Sequence, residues 1–269
     1  MTTHIPGLAP VDLEKARVLA VEMAHSAGAL QRDGYSRELV VEMKGAIDLV
    51  TEVDKACEAL VLEGLGTHFP EHRILAEEGG AFGGDHPCRW IIDPLDGTTN
   101  YAHRFPFFCV SIGLEVNGEP ALGVVHAPMF DETFVAVKGA GATLNGVPIR
   151  VSETDELVRS MLVTGFAYNV HEAENDNLDH FAAFTRSVQA TRRTGSAALD
   201  LCYVACGRFD GFWELGLKPW DMAAGSLMVT EAGGAVTRFD GTPHRLEVPE
   251  ILASNRRIHK PMTDVLTRV

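Results

Sequence analysis

The chain has 269 residues, 46% of them hydrophobic, which is enough apolar material for a substantial core. Its formal net charge of −14 makes a nucleic-acid backbone a poor partner, and would repel an anionic substrate too unless bound metal reversed the local sign. No apolar run approaches the ~20 residues of a membrane span, and residues 1–10 lack the basic-then-apolar order of a secretory leader, so a cytoplasmic protein is expected.

Asp12 opens a helix whose apolar positions Leu13, Ala16, Val18, Leu19 and Met23 continue to about Arg32, with Gly34 as its stop. Glu38 to Lys44 reads as a strand. Thr51 starts a second helix, with Asp54 three positions on as in an acidic capping box, and this helix runs to about His68. Ile74-Leu75-Ala76 is a short apolar strand halted by Glu77-Glu78-Gly79-Gly80. Trp90-Ile91-Ile92 is another, ending at Asp93-Pro94, with Gly97 and Thr98 opening a helix. Cys109 to Val116, Ala121 to Ala127 and Thr133 to Lys138 read as antiparallel strands, and Asn117-Gly118 is a hairpin turn between the first two. Gly139, Gly141 and Asn145-Gly146 continue this meander.

Strand and helix then alternate. Ser160 to Phe166 is a strand, Leu178 to Ala190 a helix, Ser196 to Cys206 a helix and Phe212 to Leu215 a strand. Asp221 to Ala232 is a helix stopped by Gly233 and Gly234, and Ile251 to Ala253 is a strand before a final helix. The class is therefore α/β, with an α+β part over residues 1–152 and an α/β part over residues 153–269. Cys57, Cys88, Cys109, Cys202 and Cys206, odd in number and scattered, suit a reducing compartment better than a disulfide framework.

The candidate chemistry lies in the acids. Asp93 and Asp96 stand three residues apart at a strand end, beside small hydroxylated neighbours. Hard cations such as Mg²⁺ take oxygen ligands of this kind, although an acid-rich turn would read the same way. Glu77 and Glu78 repeat the pattern upstream. Asp221 lies in a helix's first turn, where it could equally complement the helix dipole. No glycine-rich Lys-Ser/Thr loop and no Gly-x-Ser-x-Gly is present, which favours direct attack by water over a covalent intermediate.

Asp93-Pro94-Leu95-Asp96-Gly97-Thr98-Thr99-Asn100, followed by Trp220-Asp221-Met222-Ala223-Ala224-Gly225 and Glu231-Ala232-Gly233-Gly234, resembles the signature of the inositol monophosphatases, Mg²⁺-dependent and lithium-sensitive phosphomonoesterases. The resemblance extends from Lys44, through Asp48, to Asn255, and Tyr101 to Phe107 is similar to the inositol branch. It implies a layered αβαβα sandwich of the inositol monophosphatase and fructose-1,6-bisphosphatase type, a homodimer, and two to three Mg²⁺ per site. By this resemblance Glu77, Asp93 and the Leu95 carbonyl hold one ion, Asp93, Asp96 and Asp221 a second, and Glu77 serves a third. Asp54 and Thr98 match the pair that activates water, with Glu77 also counted as catalytic. Gly97 and Thr98 would meet the phosphate. Ser196, Ala197, Glu214 and Asp221 would meet the rest of a small phosphate ester, most simply inositol 1-phosphate.

Two positions depart from the family's habit, with Ala76 in place of Gly before the first metal glutamate and Gly79 in place of Ser after the second. Arg192-Arg193 is assigned to subunit contact and loop support, Lys44 to solvent, and His103 and His126 to no catalytic pair. Asn169 to Asp179, rich in acids and amides, borders either the site or the dimer contact. A broader sugar or polyol phosphatase is the competing enzyme reading. A binding partner of the transcription machinery is the competing non-enzyme reading, since some bacterial relatives are associated with that machinery.

Overall fold

The computed structural model describes residues 12–37, 39, 41–43, 49–168, 170–171, 173 and 176–268. Lys44, Asp48 and the Asn169 end of the acid-rich segment lie outside the described residues.

Asp12 caps helix α1 (Leu13–Tyr35), its carboxylate accepting from Lys15 N at 3.0 Å. The helix runs past the expected stop at Gly34. A Cβ there would lie 2.5 Å from Val53 and 2.6 Å from the Tyr101 hydroxyl, so Gly34 serves close packing rather than termination. Strands β1 (Val41–Met43) and β2 (Leu49–Thr51) pair antiparallel; β1 lies within the expected Glu38 to Lys44 strand, of which Glu38, Val40 and Lys44 lie outside the described residues. Helix α2 (Glu52–His68) starts from the expected capping box, with Thr51 as cap and Asp54 answering it. Strands β3 (Arg73–Ala76), β4 (Gly80–Phe82) and β5 (Cys88–Asp96) follow. β5 does not end at Asp93. It continues through Pro94 with a register shift between Asp93 and Asp96, an irregularity at which proline's missing N–H is tolerated. Gly97, at φ 97°, caps the short helix α3 (Thr98–Ala102).

The meander comprises β6 (Cys109–Val116), β7 (Glu119–Ala127), β8 (Glu132–Val137), β9 (Gly141–Leu144) and β10 (Val147–Pro148). Both Asn-Gly pairs form their turns with positive φ at each residue. Beyond it come β11 (Met161–Thr164), α4 (Leu178–Thr185), β12 (Ala190–Arg192), α5 (Ala197–Ala205), β13 (Gly211–Leu215), α6 (Pro219–Glu231), β14 (Ala235–Thr237), β15 (Glu250–Ser254) and α7 (His259–Leu266). The helix expected to reach Ala190 stops at Thr185, because Gln189 N and Ala190 N turn to the Ser160 carbonyl and draw β12 alongside β11.

Apart from the β1–β2 pair, two sheets divide the strands, one in the order β10-β9-β8-β7-β6-β5-β3-β4 and one in the order β12-β11-β13-β15-β14. Alternation along each strand serves two cores. Trp90 and Ile92 pack toward α1 and α2, whereas Ile91 faces a core shared with α5, α6 and the inner face of the smaller sheet. On that sheet's outer face Leu162, Trp213 and Leu252 meet α4 and α7 residues Phe184, Met262 and Leu266. The result is the five-layer αβαβα sandwich. Gly123, on β7, allows α6 to lie against the large sheet, since a Cβ there would come 2.8 Å from the Ala224 carbonyl oxygen. Among the described residues no helix is long and apolar enough to cross a membrane. All five cysteines are free.

Candidate active site

β3 and β5 are parallel neighbours with Ala76 opposite Ile92, so Glu77, just past the end of β3, comes beside Asp93 of β5. In a regular strand, residues three apart point to opposite faces. The register shift in β5 overrides this and brings Asp93 and Asp96 close enough to act on one another electrostatically. Leu95 N donates to Asp93 Oδ1 at 3.0 Å, and Gln31, fully buried on α1, donates to the Pro94 carbonyl at 2.8 Å. Asp96 Oδ2 accepts from Ser196 Oγ and from Ala198 N, both at 2.7 Å, where the N-terminus of α5 favours a negative charge. Asp221, third residue of α6, accepts from Lys218 N at 2.7 Å.

Burial holds Asp93 well above the usual carboxylate range, and the charges of Glu77, Asp96 and Asp221 add to this. Asp221 is pushed up by its withdrawal from water and by Asp96. Asp96 is raised by burial, with Ser196 and the α5 amides pulling the other way. Such a group of acids is unfavourable as it stands. The donors are hard oxygens, so the residues fit a divalent cation of the Mg²⁺ type. The Leu95 carbonyl belongs to this set and accepts from Thr98 Oγ1 at 3.0 Å.

Asp54 adjoins the cluster on α2. It is fully buried, and its Oδ2 accepts from Thr51 N at 2.9 Å and from Thr51 Oγ1 at 2.5 Å. Its Oδ1 lies 3.1 Å from Thr98 Oγ1, whose single proton is shared between Asp54 and the Leu95 carbonyl. Burial pushes Asp54 up to about 6, with the Thr51 and Thr98 hydrogen bonds opposing. Asp54 is therefore both the helix-capping acid and the partner of Thr98.

A cleft of about 100 Å³ opens beside the acids, with Asp96, Gly97, Ser196, Ala197, Glu214 and Asp221 in its wall. Glu214, on β13, is buried, and desolvation together with Asp200 and Asp221 raises it well above the usual range. The Ser196 hydroxyl is committed to Asp96. A larger groove, of about 890 Å³, lies between α1 and the β8–β9 hairpin, and none of the clustered acids lines it, so size alone does not mark the site.

Several residues in or around this cleft were given no place in the site from sequence. Arg193, assigned above to subunit contact, lines the cleft beside Asp200 and Glu214. Asp200 is buried and accepts from Thr194 Oγ1 at 2.5 Å. Gly165 leaves room for the Glu214 carboxylate. Asn100, the last residue of the recognised motif, donates to the carbonyls of Phe107 at 2.7 Å and Thr194 at 2.8 Å, tying α3 to the loop before α5. Phe166 and Tyr168 also border the cleft, adjoining the acid-rich segment. At Gly79 a Cβ would lie 2.8 Å from the tip of the exposed Phe82 ring and 2.9 Å from Glu58 Oε1, both side-chain ends that can move aside, and the geometry does not explain the departure there.

Comparison with known proteins agrees with this geometry. The chain matches the profile of the Inositol monophosphatase family over residues 12–267. It is 47% identical to the "Inositol-1-monophosphatase" of Synechocystis sp. over 97% of this chain and 92% of that protein. It is 43% identical to "Nus factor SuhB" of Escherichia coli over 91% of this chain and 92% of that protein. Among solved structures, the inositol monophosphatase of Anabaena (Nostoc) sp. superposes with a TM-score of 0.89 at 47% identity, covering 96% of this chain and 98% of that one. The chain belongs to the inositol monophosphatase family, a group of metal-dependent enzymes, and is a phosphoric monoester hydrolase.

Proposed function

We propose that the chain hydrolyses inositol 1-phosphate to inositol and phosphate, with Mg²⁺ as its cation and water as the nucleophile. The observation that carries this reading is the joining of an acid cluster to a cleft, with Asp96, Asp221 and buried Glu214 all in its wall. The name of the Synechocystis relative supports the same substrate.

Glu77, Asp93, the Leu95 carbonyl, Asp96 and Asp221 would hold the cations, two to three per site. Bound there, divalent ions screen phosphate charge and acidify water. The remaining work falls to the protein's own groups. Thr98 donates its hydroxyl proton to Asp54 and so turns an oxygen lone pair toward a water, fixing where that water sits. Asp54, poised near neutrality, accepts the proton released as the water attacks. Gly97 and Thr98 N–H groups steady the phosphate. Ser196 holds Asp96 in register, Ala197 shapes the wall, and Glu214 accepts hydrogen bonds from vicinal hydroxyls. The same reading includes a homodimer, with residues 1–152 as the metal-binding part and residues 153–269 as the part that selects the alcohol.

The test is phosphate release by the purified protein, with and without Mg²⁺, from inositol 1-phosphate, glycerol 2-phosphate, fructose 1,6-bisphosphate, histidinol phosphate and a 3′-phosphoadenosine nucleotide. Mg²⁺-dependent preference for inositol 1-phosphate is the expected result. Equal rates across the polyol esters would replace it with a broader sugar or polyol phosphatase. The 43% identity to proteins named Nus factor supports a second reading, a role as a partner of the transcription machinery. An Asp93→Asn variant that hydrolyses nothing yet keeps the cellular phenotype would favour that reading.

A further inference from the structure

Of the residues that α1 buries, Gln31 alone carries a polar side chain. It is fully buried, and its Nε2 donates to the Pro94 carbonyl at 2.8 Å. Its Oε1 has no hydrogen-bond partner among the described residues. An amide buried with an unmet acceptor is costly, and an apolar side chain of similar length would avoid that cost. The reversed amide would set oxygen against oxygen, so the donor is the end that faces Pro94. Tyr101, from α3, donates its hydroxyl to the Gln31 backbone carbonyl at 2.7 Å and fastens this turn of α1 beside the motif. Pro94 and Leu95 fall within the register shift of β5, opposite no residue of β6. The peptide between them is therefore gripped by side chains. Its carbonyl accepts from Gln31, and its N–H, that of Leu95, donates to Asp93 Oδ1 at 3.0 Å. A peptide unit is planar, so holding both ends fixes the plane. Donation to the carbonyl also polarises the unit and strengthens its N–H as a donor.

We propose that Gln31 is a positioning residue for the acid cluster: from the core face of α1 it sets the Pro94–Leu95 peptide, and through Leu95 N it aims the Asp93 carboxylate. Gln31 itself touches neither cation nor substrate. The inference rests on the reading of Asp93 as a cation ligand. Groups that orient a ligand from behind tune metal affinity nearly as strongly as the ligands do. Without the Gln31 amide the peptide plane is held only by Asp93, the group it is meant to orient, and the Pro94 carbonyl loses its donor.

Gln31→Met in the full-length protein keeps the length of the side chain and removes the donor. Its Mg²⁺ dissociation constant, read by calorimetry, should rise roughly tenfold or more. The half-activating Mg²⁺ concentration for phosphate release should rise with it, while KM for inositol 1-phosphate at saturating Mg²⁺ holds. Leu266→Ala, in the core beneath α7, is the control and should lower the thermal midpoint with Mg²⁺ affinity held. A second measurement needs no variant. The sequence has two glutamines, Gln31 and the exposed Gln189, so ¹⁵N in the glutamine side-chain amides gives two resonance pairs. Added Mg²⁺ should shift the Gln31 pair and leave the Gln189 pair in place, a signature that reads out even if Gln31→Met does not fold. Unchanged Mg²⁺ affinity in Gln31→Met overturns the inference, as does an equal loss in Leu266→Ala or a Gln31 amide indifferent to Mg²⁺. In each of these cases Mg²⁺ binding by the wild-type protein leaves the cation reading standing. A wild-type protein that binds no Mg²⁺ overturns both.

Discussion

Gly165→Ala sets a methyl group against the carboxylate of Glu214. An ideal Cβ at this position falls 2.5 Å from Glu214 Cδ and closer still to both carboxylate oxygens. The backbone at Gly165 is not in the left-handed region, so the conflict is steric and local to that side chain. On a surface, Glu214 would swing aside. Here it is buried, and the charges of Asp200 and Asp221 stand against it while Arg193 offers attraction. Overpacking of this kind costs about 1–3 kcal/mol. Charged to the productive complex, that range lowers kcat/KM roughly 5- to 150-fold. The assay compares inositol 1-phosphate with an aryl phosphate that has no vicinal hydroxyls, both in Mg²⁺, together with calorimetric Mg²⁺ affinity. The polyol ester should lose and the aryl ester and metal affinity should not. Equal loss on both esters, or no loss on either, would refute the assignment of Glu214 to the alcohol.

Asp54→Asn removes the proton acceptor and should lower kcat about 10²- to 10⁴-fold, with Mg²⁺ affinity held, as single-turnover kinetics and calorimetry would read. Asp54 works ionised and is held at about 6, so wild-type kcat/KM should climb as pH rises through that value and level off above it. The variant should lack this limb, and its persistence would assign the limb to another group. Asp93→Asn removes one of several mutually repelling acids, so in chelator its thermal midpoint should exceed that of the wild type, while added Mg²⁺ should stabilise only the wild type. Gly123→Ala presses a methyl into the α6 backbone and should cost roughly 1–3 kcal/mol, visible as a lower thermal midpoint; an unchanged midpoint would contradict the close approach of α6 to the sheet.

The clustered acids were legible because each declares itself locally, as an acid at the end of an apolar strand or in the first turn of a helix. Glu77 meets Asp93 because β3 and β5 are neighbours, whereas Asp96 needs the register shift in β5 and Asp221 the packing of α6, neither of which a local window shows. Gly165, Arg193 and Asp200 carry no such local mark. Each matters through what another element brings to it, and β13 supplies Glu214 to all three. The same distinction separates the elements. The meander strands follow from alternation and Asn-Gly turns. β12 and β14 are three-residue strands that exist because β11 and β15 offer free edges, which no short window of sequence contains. Proline misled at Pro94, where a register shift let the strand pass through it. Glycine misled at Gly34, where a neighbour rather than the helix end required it.

Four hydrogen bonds at the acid cluster share one property. Leu95 N holds Asp93, Ser196 Oγ and Ala198 N hold Asp96, and Lys218 N holds Asp221. Every one of these donors is neutral, an amide or a hydroxyl fixed by a turn or a helix end. They orient the carboxylates without cancelling their charge. An arginine in their place would hold the same oxygens bidentately, fill the space and leave no deficit for a cation to satisfy. A chain of net charge −14 that aims its acids with neutral donors therefore retains, at one point, both the geometry and the unmet charge that a metal-dependent phosphatase requires.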